Sequence, residues 1–256
     1  MSLARNIRRT NGASQDRRTT VLLTAFGPFP GVPVNATMRL VPELAERAAL
    51  AFPDVRFVAE TLATEWLAAP RRMAAVVAEV KPDLILHFGV SSRARGFEVE
   101  QRARNACRSM PDAAGFLPRG AMLSDSGADV LRTSLPVPHL VLALKRRGIP
   151  AYASRDAGAY LCNAVLYHSL QVAADRLRDC RVGFVHVPAS LARPGGPNRG
   201  RVGACPLTWP QAVEGGLEII AGCLGRPLPK GRAQAVAGAR LRTIGTALAR
   251  LPHVQP

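Results

Sequence analysis

The sequence predicts an α/β fold in which a β-sheet is layered between helices. Three observations carry this. Short apolar, partly β-branched runs of strand length alternate with longer segments of helical periodicity. Three of those runs end at Gly or Pro, at Phe26-Gly27-Pro28, Phe88-Gly89 and Val187-Pro188. Hydrophobic residues make up 48% of 256 residues, and a single core of this size can bury about three-quarters of the unfolded surface.

The elements follow in order. Residues 1–19 are polar and Arg-rich and are expected to be a flexible extension. Thr20–Ala25 (TVLLTA) reads as a buried first strand opening into the Gly/Pro loop Phe26-Gly27-Pro28-Phe29-Pro30-Gly31. Residues 37–51 place Met38, Val41, Leu44, Ala45 and Ala48 at helical spacing. Val55–Leu62 reads as a strand and residues 66–80 as a helix closed by Lys81-Pro82-Asp83. Leu84–Gly89 is a continuous apolar run and reads as a central strand. Residues 90–128 lack clear periodicity, which in a compact domain marks a functional segment or small hidden elements. Residues 137–147 predict a helix, Ile149–Ser154 a short strand, 158–174 a helix, Arg181–Val187 a strand and 210–224 an amphipathic helix. Residues 235–251 again show helical spacing. The expected organisation is one domain over 20–225 between basic extensions at 1–19 and 226–256.

The formal charge is +16, a balance that raises nucleic acid as a partner. The distribution argues otherwise. Residues 1–20 carry five Arg against Asp16, and 226–256 carry five Arg and Lys230 with no acid. Ten of the sixteen charges therefore sit at the two ends. Aromatic residues are only 5%, so base-stacking platforms are scarce. A specific nucleic-acid role is not expected, though a basic nucleic-acid-associated module is kept as a rival that would explain the ends. No apolar run approaches the roughly 20 residues of a membrane helix, and no secretory signal is expected after Arg5, Arg8 and Arg9. Cys107, Cys162, Cys180, Cys205 and Cys223 are odd in number and form no CxxC pair. Neither a disulfide framework nor a zinc site is expected, and a reducing, cytoplasmic compartment fits.

One segment stands out for chemistry, Asp156-Ala157-Gly158-Ala159-Tyr160-Leu161-Cys162-Asn163. It places a cysteine in the first turn of a helical pattern. Free backbone N–H groups and the positive helix end favour an anion there, which raises the thiolate fraction of a thiol. The plainer alternative is a small buried residue. A nucleophilic thiol needs a base. His168 lies six residues on, about 240° round a helix, and turns away. His139 sits in a Pro-flanked stretch and His253 near the chain end. His87 and His186 lie in or at the ends of apolar strands, where catalytic groups of open α/β sheets gather; ordinary core histidines are the alternative. A third group orients the imidazole. Glu98 and Glu100 would face the same way on a strand, and a solvated ion-pair cluster with neighbouring arginines is the alternative there.

Four ordered segments of the chain, over about residues 20–224, resemble the pyroglutamyl peptidase I (pyrrolidone-carboxylate peptidase) family of cysteine peptidases. Thr24-Ala25-Phe26-Gly27-Pro28-Phe29, with Gly31 and Asn35, resembles its TGFEPFGG…N loop. Glu100, Arg102 and Asn105, after Gly89, resemble its ERVAxN segment. Ala157–Asn163 with Tyr167 resembles AGTYVCNxxxY, and Phe184–Pro188 resembles FIHVP. There are departures. The family's GxAGGR-like stretch is Gly89-Val90-Ser91-Ser92-Arg93-Ala94-Arg95, so the family arginine aligns with Ala94. An IPDN-type segment is not recognisable around Met110–Leu117.

The resemblance implies a single three-layer α/β/α domain with a twisted mixed sheet, of the phosphorylase/hydrolase-like kind. It implies Cys162 as nucleophile, His186 as general base and Glu100 as its orienter. It implies Phe26 and Phe29 flanking a pyrrolidone ring, with further substrate contacts from Asn35, Val90 and the arginines Arg93 and Arg95. The implied reaction hydrolyses the amide after an N-terminal pyroglutamyl residue through a thioester, with no metal and no organic cofactor. The implied partners are peptides with N-terminal pyroglutamate and further copies of the chain in a homo-oligomer. A relative with altered or lost activity is the alternative that the 90–95 stretch leaves open.

Overall fold

The computed structural model describes residues 18–118, 120–176, 179–191 and 205–229. The expectations for residues 1–17, His253 and the helical pattern at 235–251 lie outside the described residues.

Strand β1 (Thr20–Phe26) is buried along its whole length, as an uninterrupted apolar run of this kind demands. It lies inside a six-stranded sheet with β2 (Arg56–Leu62), β3 (Leu84–Ser91), β4 (Phe97–Glu100), β7 (Ala151–Ser154) and β8 (Arg181–Pro188). The strand order is β2-β1-β3-β8-β4-β7. The first four strands run parallel. Strand β4 runs antiparallel to β8 and parallel to β7, so the sheet is mixed. Two short strands, β5 (Arg102–Arg104) and β6 (Val130–Arg132), form a separate antiparallel pair.

Alternation along the strands builds two apolar layers. Val21, Leu23 and Ala25, with Leu86 and Phe88, face α1 (Thr37–Ala51), α3 (Val137–Arg146) and α5 (Trp209–Leu224). Leu22, Phe26, Ile85 and Phe184 face α2 (Ala68–Val80) and α4 (Leu161–Arg176). Full burial of each large side chain contributes about 1.5–3 kcal/mol before the entropy of ordering is counted. Helix α5 is bounded by its own sequence. Thr208 and Gln211 form a capping box, and Gly225 closes the other end at φ 68°.

The segment without periodicity, 90–128, holds β4 and β5. Strands of three or four residues are too short for alternation to register, and β4 reads as mixed because two of its four residues are glutamates. Helix α4 starts at Leu161 rather than 158, because Gly158 adopts φ 82° and ends a turn before the helix begins. Met38 is exposed rather than part of the buried stripe of α1.

Candidate active site

Cys162 is the second residue of α4 and is half-buried. The preceding turn is held by Asp156, whose Oδ1 accepts the Gly158 N–H (3.1 Å) and pairs with Arg104 (2.7 Å). Asn163 is fully buried and ties the start of α4 to β5. Its Oδ1 accepts the Arg104 N–H (2.8 Å), and its Nδ2 donates to the carbonyls of Arg104 (2.8 Å) and Ala106 (3.0 Å). Tyr167 donates to the Ala128 carbonyl (2.8 Å), and Asn105 accepts the N–H groups of Leu123 and Ser124. These residues lock the elements that carry the thiol and the carboxylate.

His186 lies on β8 and is 5% exposed. Its Nδ1 is 2.8 Å from Oε1 of Glu100, a fully buried residue of β4. An ionised carboxylate can only accept, so Nδ1 carries the proton and Nε2 is left for the thiol. The Cys162 thiol is within hydrogen-bonding reach of the ring, and Phe184 packs on it with centroids 4.6 Å apart. Burial opposes a charge on His186, but Cys162 and Glu100 outweigh it and raise its pKa to about 10. In register with His186 on the neighbouring strand stands Gly89. A β-carbon there would lie 2.7 Å from Cζ of Phe184 and 3.1 Å from the Cys162 sulfur, so a side chain at 89 would invade the site.

Cys162 and His186 open onto a cavity of about 750 Å³. Phe29 and Val32 from the loop after β1, Val90 of β3 and Tyr160 just before α4 give it an apolar wall. Arg93, Glu98, Arg108 and Asp156 add charge to its lining. Phe29 and Tyr160 rings are 6.0 Å apart, and Tyr160 donates to the Pro111 carbonyl (3.0 Å). Burial, with Asp112 and Cys162 nearby, pushes the Tyr160 phenol up to about 12, so it stays protonated.

Phe26 is 2% exposed and packs 6.0 Å from Phe184 in the α2/α4 layer, behind the cavity rather than in its wall. Asn35 is 1% exposed; its Nδ2 donates to the Gly27 carbonyl (3.2 Å) and its Oδ1 accepts from Thr37. It braces the loop that carries Phe29. Arg93 lines the cavity, whereas Arg95 is exposed outside the lining. His87 is buried between Thr24 (2.7 Å) and Ser169 (3.0 Å), and burial lowers its pKa to about 3, so it stays neutral. His168 lies beside Gln171 at a separate small cleft with Pro70 and Met73. His139 is exposed on α3.

The sequence does not mark Tyr160 and Arg108 as lining residues. The signal for Tyr160 is its place in the cysteine segment; Arg108 lies in the stretch without periodicity. Among the described residues, Glu98, Glu100 and His186 form the group with spacing compatible with a metal ion, their ligand atoms lying within 4.8 Å. Of the two ring nitrogens of His186, Nδ1 is already engaged by Glu100.

A family model for pyroglutamyl peptidase matches residues 19–193. The chain belongs to the pyroglutamyl peptidase family. It is 32% identical over 170 residues to the pyrrolidone-carboxylate peptidase of Oceanobacillus iheyensis, covering 66% of this chain and 84% of that one. It is 34% identical over 181 residues to that of Clavibacter michiganensis, covering 70% and 83%. Among solved structures, a mutant pyrrolidone carboxyl peptidase from the hyperthermophile Pyrococcus furiosus superposes with a TM-score of 0.72 at 27% identity, over 81% of this chain and 99% of that one. Pyroglutamyl peptidase I of Bacillus amyloliquefaciens gives 0.69 at 27% identity, over 80% and 96%. The three-layer α/β fold is therefore that of the pyroglutamyl peptidases. No described helix of this family member is long and apolar enough to cross a membrane.

Proposed function

We propose that the protein is a cysteine peptidase that removes N-terminal pyroglutamate, with Cys162, His186 and Glu100 as its triad. The observation that carries this reading is the alignment of a helix-start thiol, a strand-end imidazole and a buried carboxylate 2.8 Å from that imidazole, all at one cavity.

The thiolate of Cys162 attacks the acyl carbon attached to the lactam ring. The backbone N–H of Cys162, in the first turn of α4, has no intrahelical acceptor and is available to the oxyanion. The imidazolium of His186 gives its proton to the leaving amine, and a thioester remains. Neutral His186 then takes a proton from water. The hydroxide attacks the thioester and releases pyroglutamate, and the proton returns to the thiol–imidazole pair. Glu100 holds the Nδ1 proton in place throughout.

The apolar wall of Phe29, Val32, Val90 and Tyr160 suits a flat, uncharged five-membered ring. An apolar wall alone discriminates poorly between rings of equal size. Rejection of proline rests on backbone polar groups of the 26–35 and 89–92 segments that pair with the lactam and are left unpaired by proline. The test is hydrolysis of a pyroglutamyl-coumarin substrate under reducing conditions, beside its prolyl analogue. Turnover of the first alone supports the reading. No turnover, or equal turnover of both, overturns it.

A further inference from the structure

Glu98 occupies a place at the site that the mechanism above leaves unused. It alternates with Val99 on β4, so its side chain and that of Glu100 both leave the sheet on the α4 side. Its register partner across the β4–β8 pairing is His186 itself. The carboxylate oxygens of Glu98 and Glu100 and a ring nitrogen of His186 lie within 4.8 Å of one another. The two acids nevertheless differ. Glu100 is fully buried and bonded to Nδ1. Glu98 is half-buried, lines the cavity, and has no hydrogen bond or ion pair among the described residues.

The charged and titratable groups around this point come from every neighbouring element, including Tyr152 of β7, which stands in register with Glu98 and has Lys145 of α3 over its ring, and Tyr160 just before α4, which lies near Cys162. Cys162 comes from α4, Glu98 and Glu100 from β4, and Arg93 from the segment between β3 and β4. Phe184 of β8 covers the ring, and Gly89 of β3 offers no side chain. His87 of β3 packs on Phe184 and has both nitrogens engaged. Arg108 is in the cavity lining, and Asp156 is neutralised by Arg104.

We infer that Glu98 is a positioning residue for the reaction: a second carboxylate that acts through His186 from the cavity side and sets the pH range in which the Cys162–His186 pair is competent. The inference rests on the assignment of that pair as nucleophile and base. The pair becomes competent by losing one proton and becomes incompetent by losing a second. A negative charge less than 5 Å away opposes both losses, so it moves both limbs to higher pH. Burial pushes the Glu98 carboxyl above its ordinary range, His186 and Arg93 pull it down, and Glu100 adds to the rise. Glu98 acts on the pair wherever its carboxyl is ionised.

The experiment titrates the pair without substrate. Thiolate absorbance and the rate of iodoacetamide alkylation are followed against pH for the full-length wild type, Glu98→Gln and Glu98→Asp, with Cys162→Ala subtracted as background. Glu98→Gln is expected to move both limbs down by about one pH unit, the size of a single charge acting across a partly solvated cavity. Glu98→Asp, which keeps the charge, is expected to move them by less. Thermal midpoints serve as a fold check, and Glu98→Thr, a strand-compatible neutral residue, replaces Glu98→Gln should that variant not fold. Limbs that coincide with the wild type overturn the inference. So does a change confined to KM for peptides with a cationic residue after pyroglutamate, since Glu98 would then read substrate. Because the titration needs no turnover, failure of the wild type to cleave pyroglutamyl substrates would count against the proposed function and not against this inference.

Discussion

Gly89 makes room for Cys162: a β-carbon at position 89 would stand 3.1 Å from the thiol sulfur and 2.7 Å from the Phe184 ring. Neither neighbour can retreat freely, since Phe184 is fully buried and Cys162 is fixed in the first turn of α4. Gly89→Ala is therefore expected to lower kcat/KM by about 10- to 100-fold, because small displacements of reacting groups are costly. Overpacking should also destabilise the fold by about 1–3 kcal/mol. Steady-state kinetics with a thermal melt checks both. An unchanged kcat/KM would show that the thiol is not confined at this point.

Replacement of the nucleophile is expected to end turnover. Cys162→Ala should be inactive, and iodoacetamide inactivation of the wild type should follow alkylation of Cys162. Cys162→Ser should be nearly as poor, because a serine hydroxyl is far less ionised near neutral pH. Single alanine replacements at Cys107, Cys180, Cys205 and Cys223 should keep most of the activity. The informative measurement is turnover of the same pyroglutamyl substrate across the series, and activity in Cys162→Ala would remove the mechanism.

The base and its orienter should separate by size of effect. His186→Ala is expected to lower kcat by about 100- to 10,000-fold, the range of a positioned general acid–base. Glu100→Gln should cost less, since the imidazole stays and loses its orientation and counter-charge. His168→Ala should leave kcat within about twofold, consistent with its separate cleft on the far side of α4. A larger loss from Glu98→Gln than from Glu100→Gln would exchange the roles of the two acids.

The two phenylalanines of the first loop should behave differently. Phe29 lines the cavity, so Phe29→Ala is expected to raise KM by about tenfold in a folded protein. Phe26 is 2% exposed in the core, so Phe26→Ala should cost about 3–5 kcal/mol of stability instead. Urea unfolding of the pair, alongside KM, distinguishes wall from core.

The pH dependence of stability follows from His186. Its folded pKa is about 10 against an ordinary value of 6.5. A raised value means stabilisation that is complete below 6.5 and is lost as pH climbs toward about 10. The urea midpoint of the wild type should therefore fall more steeply over that window than the midpoint of His186→Ala. Parallel curves would mean that the imidazolium contributes nothing to folding.

Much of this architecture was legible along the chain. Thr20–Phe26 and Leu84–Ser91 are wholly or nearly buried strands and carry the apolar runs that such strands require. The gap was β4, β5 and β6, where four, three and three residues give alternation no room to register. Spacing could bring Cys162 and His186 into candidacy, because one starts a helix and the other ends a strand. It could not rank Glu98 against Glu100, since both leave β4 on the same face. That ranking depends on which carboxylate the imidazole ring turns toward, a property of the packed site rather than of the strand. Nor could it separate Phe26 from Phe29, three residues apart in one loop. The last buried position of β1 claims the first, and only the second reaches the cavity.

The reversed direction of β4 has a consequence for how the enzyme is born. Glu100 and His186 are 86 residues apart in the chain, and they meet only when β4 docks against the late strand β8. A chain leaving the ribosome displays Glu100 early, Cys162 next and His186 last. Until β8 has emerged and paired, Cys162 stands without the imidazole that the proposed mechanism pairs with it. Long-range pairing of this kind is slow compared with helix formation. Helical signal should accordingly return before hydrolysis when the denatured protein is refolded, and with the proposed triad a half-made chain is expected to be chemically idle while it is still being synthesised.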